Sequence, residues 1–283
     1  MSAPDAATIV HLLGYRTPSD EGGGVFRWDA NSTLLDDGGL TIIPDGAMTK
    51  GRWRRVTSGP VNIRWFGASP DACSSENSAS IQKAIDSLPV SGGTVLFPAG
   101  AYRVADTIRV ARNSVALIGE GVDATTLLAD AALPAVVRFG DAAAGDKGLA
   151  INCSIARMSI DRQEGTIPIG SVGILWEHFN CGSERLTRVN RHYYGRKIAG
   201  RSPGISSQYS LYEPYSSNAT RAHINIEHVA GVKVFGGEFG RNGGEQIDSA
   251  CIIEITGAAN DVTFSECSFI PRGLQQPRRP NRE

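Results

Sequence analysis

The chain has 283 residues, and its 28 Lys and Arg against 29 Asp and Glu leave a formal net charge of −1. This balance excludes a strongly basic protein that binds nucleic acid by neutralising many phosphates. No run of about 18 apolar residues is present, so no membrane span is expected. The first residues also lack the cationic flank and apolar core of a secretory signal.

The five cysteines have no C-x-x-C spacing, and their number is odd. We therefore expect neither a disulfide framework nor a metal site. No glycine-rich loop is followed by the Lys-Ser/Thr pair of a phosphate site, and no cofactor is expected. The 33 glycines favour a fold rich in turns.

Short β-type runs open the chain, at residues 25–28, 40–43 and 52–56, and glycine-containing turns separate them. They predict a small β module over residues 1–60. Trp28 and Trp53 are expected to pack in its core, because buried aromatic rings contribute much of the apolar area of small sheets.

One helix is predicted, at about residues 78–88. Ile81, Ala84 and Ile85 recur at helical spacing and form one apolar face. Asn77 or Ser78 supplies the expected N-cap. A buried strand follows at residues 94–97.

A repeat with apolar residues at offsets 0, 2, 5 and 7 runs through the second half of the chain. Its copies begin at Cys153, Glu184, Val232 and Val262, which are separated by 31, 48 and 30 residues. The copy that begins at Glu184 is the weakest, since it carries Glu184 and Arg191 at two of the four positions. Each copy reads as two short strands broken by a bend, with side chains alternating in and out.

A third strand precedes each bend, as the pairs Ile174/Trp176, Ile224/Ile226 and Ile253/Ile255 indicate. Three short strands in a repeat of about 20–50 residues are typical of a parallel β-helix, in which each coil stacks on the last. A β-sandwich also uses short strands, but it does not explain a bend at fixed offsets. The predicted fold class is therefore all-β: a single-stranded right-handed parallel β-helix over residues 61–283, capped by one α-helix.

Several motifs near the start of this region resemble those of pectate-lyase-like right-handed β-helix proteins. They are WFGA at 65–68, SASIQKAID at 78–86, GGTVLFPAGAY at 92–102 and LIGEG at 117–121. Upstream, LGYRTPSDEGGGVFRWD at 13–29 and GRW at 51–53 resemble the small module that precedes this β-helix in bacteriophage tailspikes and polysaccharide depolymerases.

The resemblance implies a tailspike-type protein that binds, and depolymerises, a bacterial surface polysaccharide during host attachment. It also implies a homotrimer in the virion tail beside other tail proteins, made in the host cytoplasm and acting outside the cell. Two alternatives stay open: a non-enzymatic adhesin or structural tail component on the same scaffold, and a free bacterial polysaccharide lyase. The enzyme class, glycoside hydrolase or polysaccharide lyase, also stays open.

Two acidic residues are the first catalytic candidates. In the repeat alignment Glu177 and Glu227 follow the inward residues Trp176 and Ile226, so they are expected to point outward, one above the other. Two carboxylates at the 4.7–4.9 Å spacing of stacked coils repel, which raises one pKa and suits an acid/base pair. The alternative is a solvated face neutralised by nearby arginines.

A second candidate pair is Asp161 and His192, each one residue past the last apolar position of its copy. A carboxylate beneath an imidazole can orient it as a base. The alternative is a surface hydrogen bond at a corner of the coil.

The long interval before the third copy is rich in tyrosine and basic residues, and long insertions in solenoids usually project as loops on the binding face. Tyr193, Tyr194 and Tyr212 are candidates for stacking on sugars, and Arg196 for pairing with acidic ones. The same rings could instead pack against the helix body or a sister subunit. An outward Leu175 beside Glu177 predicts an apolar flank that a homotrimer would bury.

Overall fold

The structure is a computed structural model that describes residues 1–4, 6–46, 49–130, 133–200, 207–241 and 251–270. One α-helix, α1 (Ser74–Asp86), and two short 3₁₀ helices (Ile63–Phe66 and Ala142–Gly148) accompany many short strands. The strands are β1 (Ile9–Leu12), β2 (Gly24–Asp29), β3 (Thr41–Ile42), β4 (Arg52–Arg55), β5 (Val61–Asn62), β6 (Gly93–Phe97), β7 (Gly100–Val104), β8 (Ile108–Val110), β9 (Val115–Gly119), β10 (Thr125–Ala129), β11 (Ala135–Phe139), β12 (Ala150–Ile151), β13 (Ser154–Arg162), β14 (Val172–Glu177), β15 (Phe179–Asn180), β16 (Gly182–Asn190), β17 (Tyr194–Ala199), β18 (Gln208–Tyr212), β19 (Tyr215–Ser217), β20 (Ala222–Glu227), β21 (Gly231–Phe235), β22 (Glu238–Arg241), β23 (Cys251–Ile255), β24 (Val262–Ser265) and β25 (Ser268–Phe269).

The N-terminal strands form a four-stranded antiparallel sheet in the order β1-β2-β4-β3. Trp28 faces Trp53 across β2 and β4 with ring centroids 5.4 Å apart, and Trp53 is buried. The predicted packing of the two tryptophans is confirmed. The Arg55 guanidinium lies over the rings of Phe26 and Trp65, so it joins this sheet to the start of the next region.

Helix α1 covers the first coil with its apolar face, and Ile81, Ala84 and Ile85 are fully buried. The predicted N-cap was wrong, because the helix begins earlier, after Cys73. Asn77 is instead buried inside the first turns, where its side chain bonds both the backbone N–H and the carbonyl of Ser69 at 2.9 Å. In the sequence Asn77 resembles an N-cap, although it lies inside the helix and binds the preceding loop.

All strand pairs from β5 onward are parallel, which confirms the predicted β-helix. One face is a six-stranded sheet in the order β8-β11-β14-β17-β20-β23, a thirteen-stranded sheet forms the other faces, and β12 and β15 pair as a separate two-stranded sheet. In the large sheet Ile155 pairs with Glu184, Glu184 with Leu211, and Leu211 with Val234, so these coils repeat every 29, 27 and 23 residues.

The predicted bend lies in the same place in five successive coils. Left-handed residues occupy it, with φ between 49° and 65°. They are Arg157, Leu186, Glu213, Gly236 and Glu266. Each left-handed residue turns the chain sharply, so the apolar residues before and after it both point into the coil.

Two details of the predicted repeat were wrong. The copy assigned to Glu184 is displaced by two residues, because Ile155, and not Cys153, pairs with Glu184. The described residues of the long interval before Val232 form a coil and not one projecting insertion, since β17, β18 and β19 all pair with both neighbouring coils.

Among the described residues, no helix is long and apolar enough to cross a membrane. Within the same ranges, no group of three or more His, Cys, Asp and Glu side chains could hold a metal ion.

Candidate functional site

A polar cleft of about 360 Å³ lies on the outer face of the large parallel sheet. Two columns of outward residues form its floor, because parallel pairing places equivalent positions of successive coils side by side. One column runs from Thr126 through Ser159 and Arg188 to Tyr215, and the other contains Asp161, Asn190 and Ser217. The cleft is lined by Asp123, Thr126, Ser159, Ile160, Asp161, Arg188, Asn190, Tyr215, Ser217 and Asn218.

Asp161 is held firmly at one side of this cleft. Arg191 donates to both carboxylate oxygens at 3.0 Å, and the Asn190 amide donates to both at 3.1 Å. The amide oxygen of Asn190 accepts in turn from Ser217 at 2.9 Å and from Asn218 at 2.8 Å. A chain of hydrogen bonds therefore orients Asp161 across three coils.

Arg188 occupies the middle of the cleft, and its partners lie on both sides. Its guanidinium is bound to the carboxylate of Asp123 and lies over the ring of Tyr215, 4.9 Å from the centroid. The Asp123 side chain is 75% exposed, so this carboxylate is open to solvent and to a ligand. The arrangement offers a carboxylate, a guanidinium and an aromatic ring within one cleft.

His192 does not lie on Asp161 as the sequence suggested. It is buried, and its Nδ1 lies 3.5 Å from Nη2 of Arg162, while Asp161 is bound by Arg191 and Asn190. Burial, and then the charges of Arg162 and Arg191, hold the pKa of His192 well below its usual value. A buried imidazole that resists protonation is unsuited to act as a base toward a ligand in the cleft.

Glu177 and Glu227 lie on the six-stranded sheet and are not neighbours. Ala199 of β17 pairs with both of them, so a whole coil separates the two, at about 9–10 Å between backbones. Glu177 is bound to Arg138, and Glu227 is bound to Lys197 with a 3.0 Å contact. The expected repulsion between stacked carboxylates is therefore absent from this column.

Arg196, expected to contact acidic sugars, is fully buried inside the coil. Its Nε donates to Oε2 of Glu184 at 2.9 Å, and its Nη2 donates to the hydroxyl of Thr187 at 2.8 Å. The Glu184 carboxylate also accepts from Trp176 Nε1 and Thr187 Oγ1, each at 2.9 Å, and from the hydroxyl of Tyr209. This closed network belongs to the core and cannot meet a ligand.

The three candidate tyrosines are spread over two faces. Tyr193 and Tyr194 pack edge to face, 4.9 Å apart, where β17 begins. Tyr212 lies on the large sheet and stacks on Phe235 at 5.2 Å with nearly parallel planes, so one of its ring faces is already covered. The predicted sugar-binding residues do not converge on one site.

Sequence reasoning missed Asp123 and Asn190 as members of a site, and it placed Tyr215 only in the tyrosine-rich stretch that could stack on sugars. The signal was present in the corrected alignment, since Ser159, Arg188 and Tyr215 occupy equivalent outward positions. The predicted repeat had no separate coil for β17–β19, so the column of Ser159, Arg188 and Tyr215 could not be recognised in the sequence.

Two family models match the chain. Residues 2–58 match a phage tail protein small four-stranded β-sheet domain. Residues 60–212, more than half of the chain, match the family described as rhamnogalacturonase A/epimerase, pectate lyase-like.

Solved structures of bacteriophage tailspikes share this fold. A tailspike of Acinetobacter baumannii bacteriophage Fri1, a capsular polysaccharide depolymerase, is 16% identical, with a TM-score of 0.74 over 94% of this chain and 50% of that one. A tailspike of Acinetobacter phage vb_AbaP_AS12 is 11% identical, with a TM-score of 0.61 over 95% and 54%. The enzymatically active domain of tailspike protein 2 of bacteriophage CBA120 is 14% identical, with a TM-score of 0.59 over 95% and 50%. The chain thus spans about half the length of the tailspikes that it matches, and the resemblance seen in the sequence is confirmed in the fold.

Proposed function

The chain belongs to the pectate-lyase-like family described as rhamnogalacturonase A/epimerase, and from that premise we propose that it is a tailspike-type protein that binds and depolymerises a bacterial surface polysaccharide. The match of residues 2–58 to a phage tail domain supports a place in the virion tail. A protein of this kind is made in the host cytoplasm and acts outside the cell, beside other tail proteins.

The cleft is the observation that carries the proposal. It runs across several coils, so a linear polymer can lie along it. Its hydroxyl, amide and carboxylate groups match the donors and acceptors of sugars, and Tyr215 adds an aromatic ring.

Hydrolysis of a glycosidic bond uses two carboxyl groups, and Asp123 and Asp161 both line the cleft. Asp161 is held in place by Arg191 and Asn190, and a base or nucleophile needs such a fixed orientation. Asp123 is the more exposed of the two and is proposed as the partner that exchanges a proton with the sugar.

The test is cleavage of purified capsular and O-antigen polysaccharides, followed by reducing-end release and by the ultraviolet absorbance of unsaturated uronates. Asp161→Asn should lower the rate by about 10²–10⁴-fold with little change in binding. Glu177→Gln and Glu227→Gln, carboxylates on the other sheet, serve as matched controls and should retain the rate. Loss of activity in these controls, with Asp161→Asn active, would move the site to the six-stranded sheet.

A non-enzymatic adhesin is the second candidate, and one observation favours it. Both carboxylates of the cleft are bound to a guanidinium, Asp161 to Arg191 and Asp123 to Arg188, so neither is free of an ion pair. Binding of a polysaccharide without any released reducing end would support the adhesin.

We propose a homotrimer as the assembly, although the contact surface expected at Leu175 is unsuitable. Leu175 is only partly exposed and lies between Arg138 and Lys197 in its column. The exposed stacked pair Tyr212 and Phe235 offers a better apolar contact. Light scattering should give the mass of three chains, and a stable monomer at micromolar concentration would remove the trimer from the proposal.

A further inference from the structure

The charge of the cleft limits the sugars that it can hold. We infer that the cleft takes an uncharged, hydroxyl-rich stretch of polysaccharide and disfavours uronates and other anionic sugars. This inference rests on the proposed function, since it names the substrate class of the same cleft.

The described residues that line the cleft carry two carboxylates, Asp123 and Asp161, against one guanidinium, Arg188, and thus one net negative charge. The next cations, Arg191 and the buried Arg162, both act on Asp161, and Arg191 also lies 3.7 Å from Glu164. The charge that faces solvent in the cleft is that of Asp123, whose side chain is 75% exposed against 38% for Arg188. An anionic sugar would therefore meet like charge first.

Arg188 is the cation that a sugar carboxylate would need, and it is already engaged. Asp123 neutralises it, and the ring of Tyr215 lies against the guanidinium at 4.9 Å. A uronate would have to displace Asp123 to reach it. Asp123 therefore shields Arg188 from anionic ligands.

The remaining lining groups suit neutral sugars. Thr126 supplies a hydroxyl group in the first column, and the hydroxyl oxygens of Ser159 and Ser217, which already donate to Val122 and Asn190, can still accept. Such groups exchange hydrogen bonds with sugar hydroxyls without requiring a charge.

The substrate class also decides the reaction. Elimination removes the proton on the carbon next to a uronate carboxylate and expels the oxygen at the neighbouring carbon, leaving a carbon–carbon double bond. A neutral sugar lacks that carboxylate. In hydrolysis, water adds its hydroxyl to the anomeric carbon and a proton to the leaving oxygen, and this route remains open. The cleft is therefore assigned to hydrolysis.

The decisive experiment compares wild type, Asp123→Asn and Asp261→Asn for binding to hexagalacturonate and to neutral hexasaccharides (cellohexaose, maltohexaose and laminarihexaose) at low and high salt. Asp261 is a matched control, because it is also an exposed aspartate facing a cation, Lys233, but lies outside the cleft lining. Asp123→Asn should strengthen hexagalacturonate binding by on the order of fivefold at low salt, the effect of one like charge at contact distance in a water-like medium. High salt should erase the gain, and Asp261→Asn should show none.

Tighter binding of hexagalacturonate than of the neutral probes by wild type would overturn the inference, and so would an Asp123→Asn variant that leaves hexagalacturonate binding unchanged. Release of unsaturated uronates from any bacterial polysaccharide would overturn the assignment to hydrolysis. Failure of the proposed function looks different: no surface polysaccharide would be bound or cut, while Asp123→Asn would still change the response to hexagalacturonate.

Discussion

Replacing Arg196 by methionine tests the buried network most directly. Methionine nearly preserves the length of the side chain but removes its charge. Glu184 and Arg196 are both fully buried, so the change leaves a carboxylate in the core without its cation. Loss of one partner of such a pair costs about 3–5 kcal/mol, which lowers the melting temperature by roughly 10 °C in a domain of this size.

The double variant Glu184→Gln/Arg196→Met separates charge from packing. Glutamine keeps an acceptor for Trp176 and Tyr209, and its amide nitrogen would stand where Oε2 now lies 2.9 Å from the hydroxyl of Thr187, which can accept from it. With neither charge of the pair left in the core, the double variant should regain about 2–3 kcal/mol of the loss.

Both variants can be measured by guanidinium denaturation after reversibility is established, since β-helical chains need that check before an equilibrium free energy is quoted. A single variant within about 0.5 kcal/mol of wild type would refute the reasoning, because that is the size of an ordinary surface effect. A double variant less stable than the single would show that the ion pair is not the source of the cost.

Three further predictions concern stability. Burial, and then the charge of Arg196, lowers the pKa of His223 from 6.5 to about 4. The contribution of the neutral imidazole to the free energy of unfolding is therefore complete above pH 6.5 and is lost as the pH falls toward 4. The loss should be on the order of 3 kcal/mol, and denaturation midpoints at a series of pH values measure it; His223→Gln should flatten the profile, and an unchanged slope would contradict the assignment. Ile155→Asp places a charge at a fully buried position and should cost several kcal/mol; a soluble variant with unchanged melting temperature would be incompatible with the observed register. Gly140→Ala should destabilise the protein by about 3 kcal/mol or more, because Gly140 has φ of 84° and a β-carbon there would overlap the carbonyl oxygen of Glu177; a thermal melt equal to that of wild type would count against this close approach.

Much of the fold could be predicted because its coils carry a local signal. Cys153, Ile155, Met158 and Ile160 are all buried, as the repeat requires. The bend between them is a single residue, Arg157, so the spacing on each side is fixed by the strands alone. Apolar residues at fixed offsets and one left-handed residue are enough to specify this part of a coil.

The coil that contains β17–β19, which the predicted repeat did not include, shows where the local apolar signal ends. Arg196 stands in the inward column between Ile174 and Ile224, and Glu184 stands between Ile155 and Leu211. Each of them breaks an apolar pattern when it is read alone. They are tolerated inside because they neutralise each other across the coil, a fact that depends on which strands face one another.

The sequence by itself determined the scaffold: a small antiparallel sheet, one capping helix and parallel coils with a repeated bend. Apolar periodicity and turn residues act over a few positions, so they can be read along the chain. Only the tertiary structure decided the cleft, because Asp123, Asp161 and Tyr215 come from different coils and meet through the register between strands. That register is set by the packing of whole coils, and a displacement of two residues in one copy is enough to assign the outward side chains to the wrong neighbours.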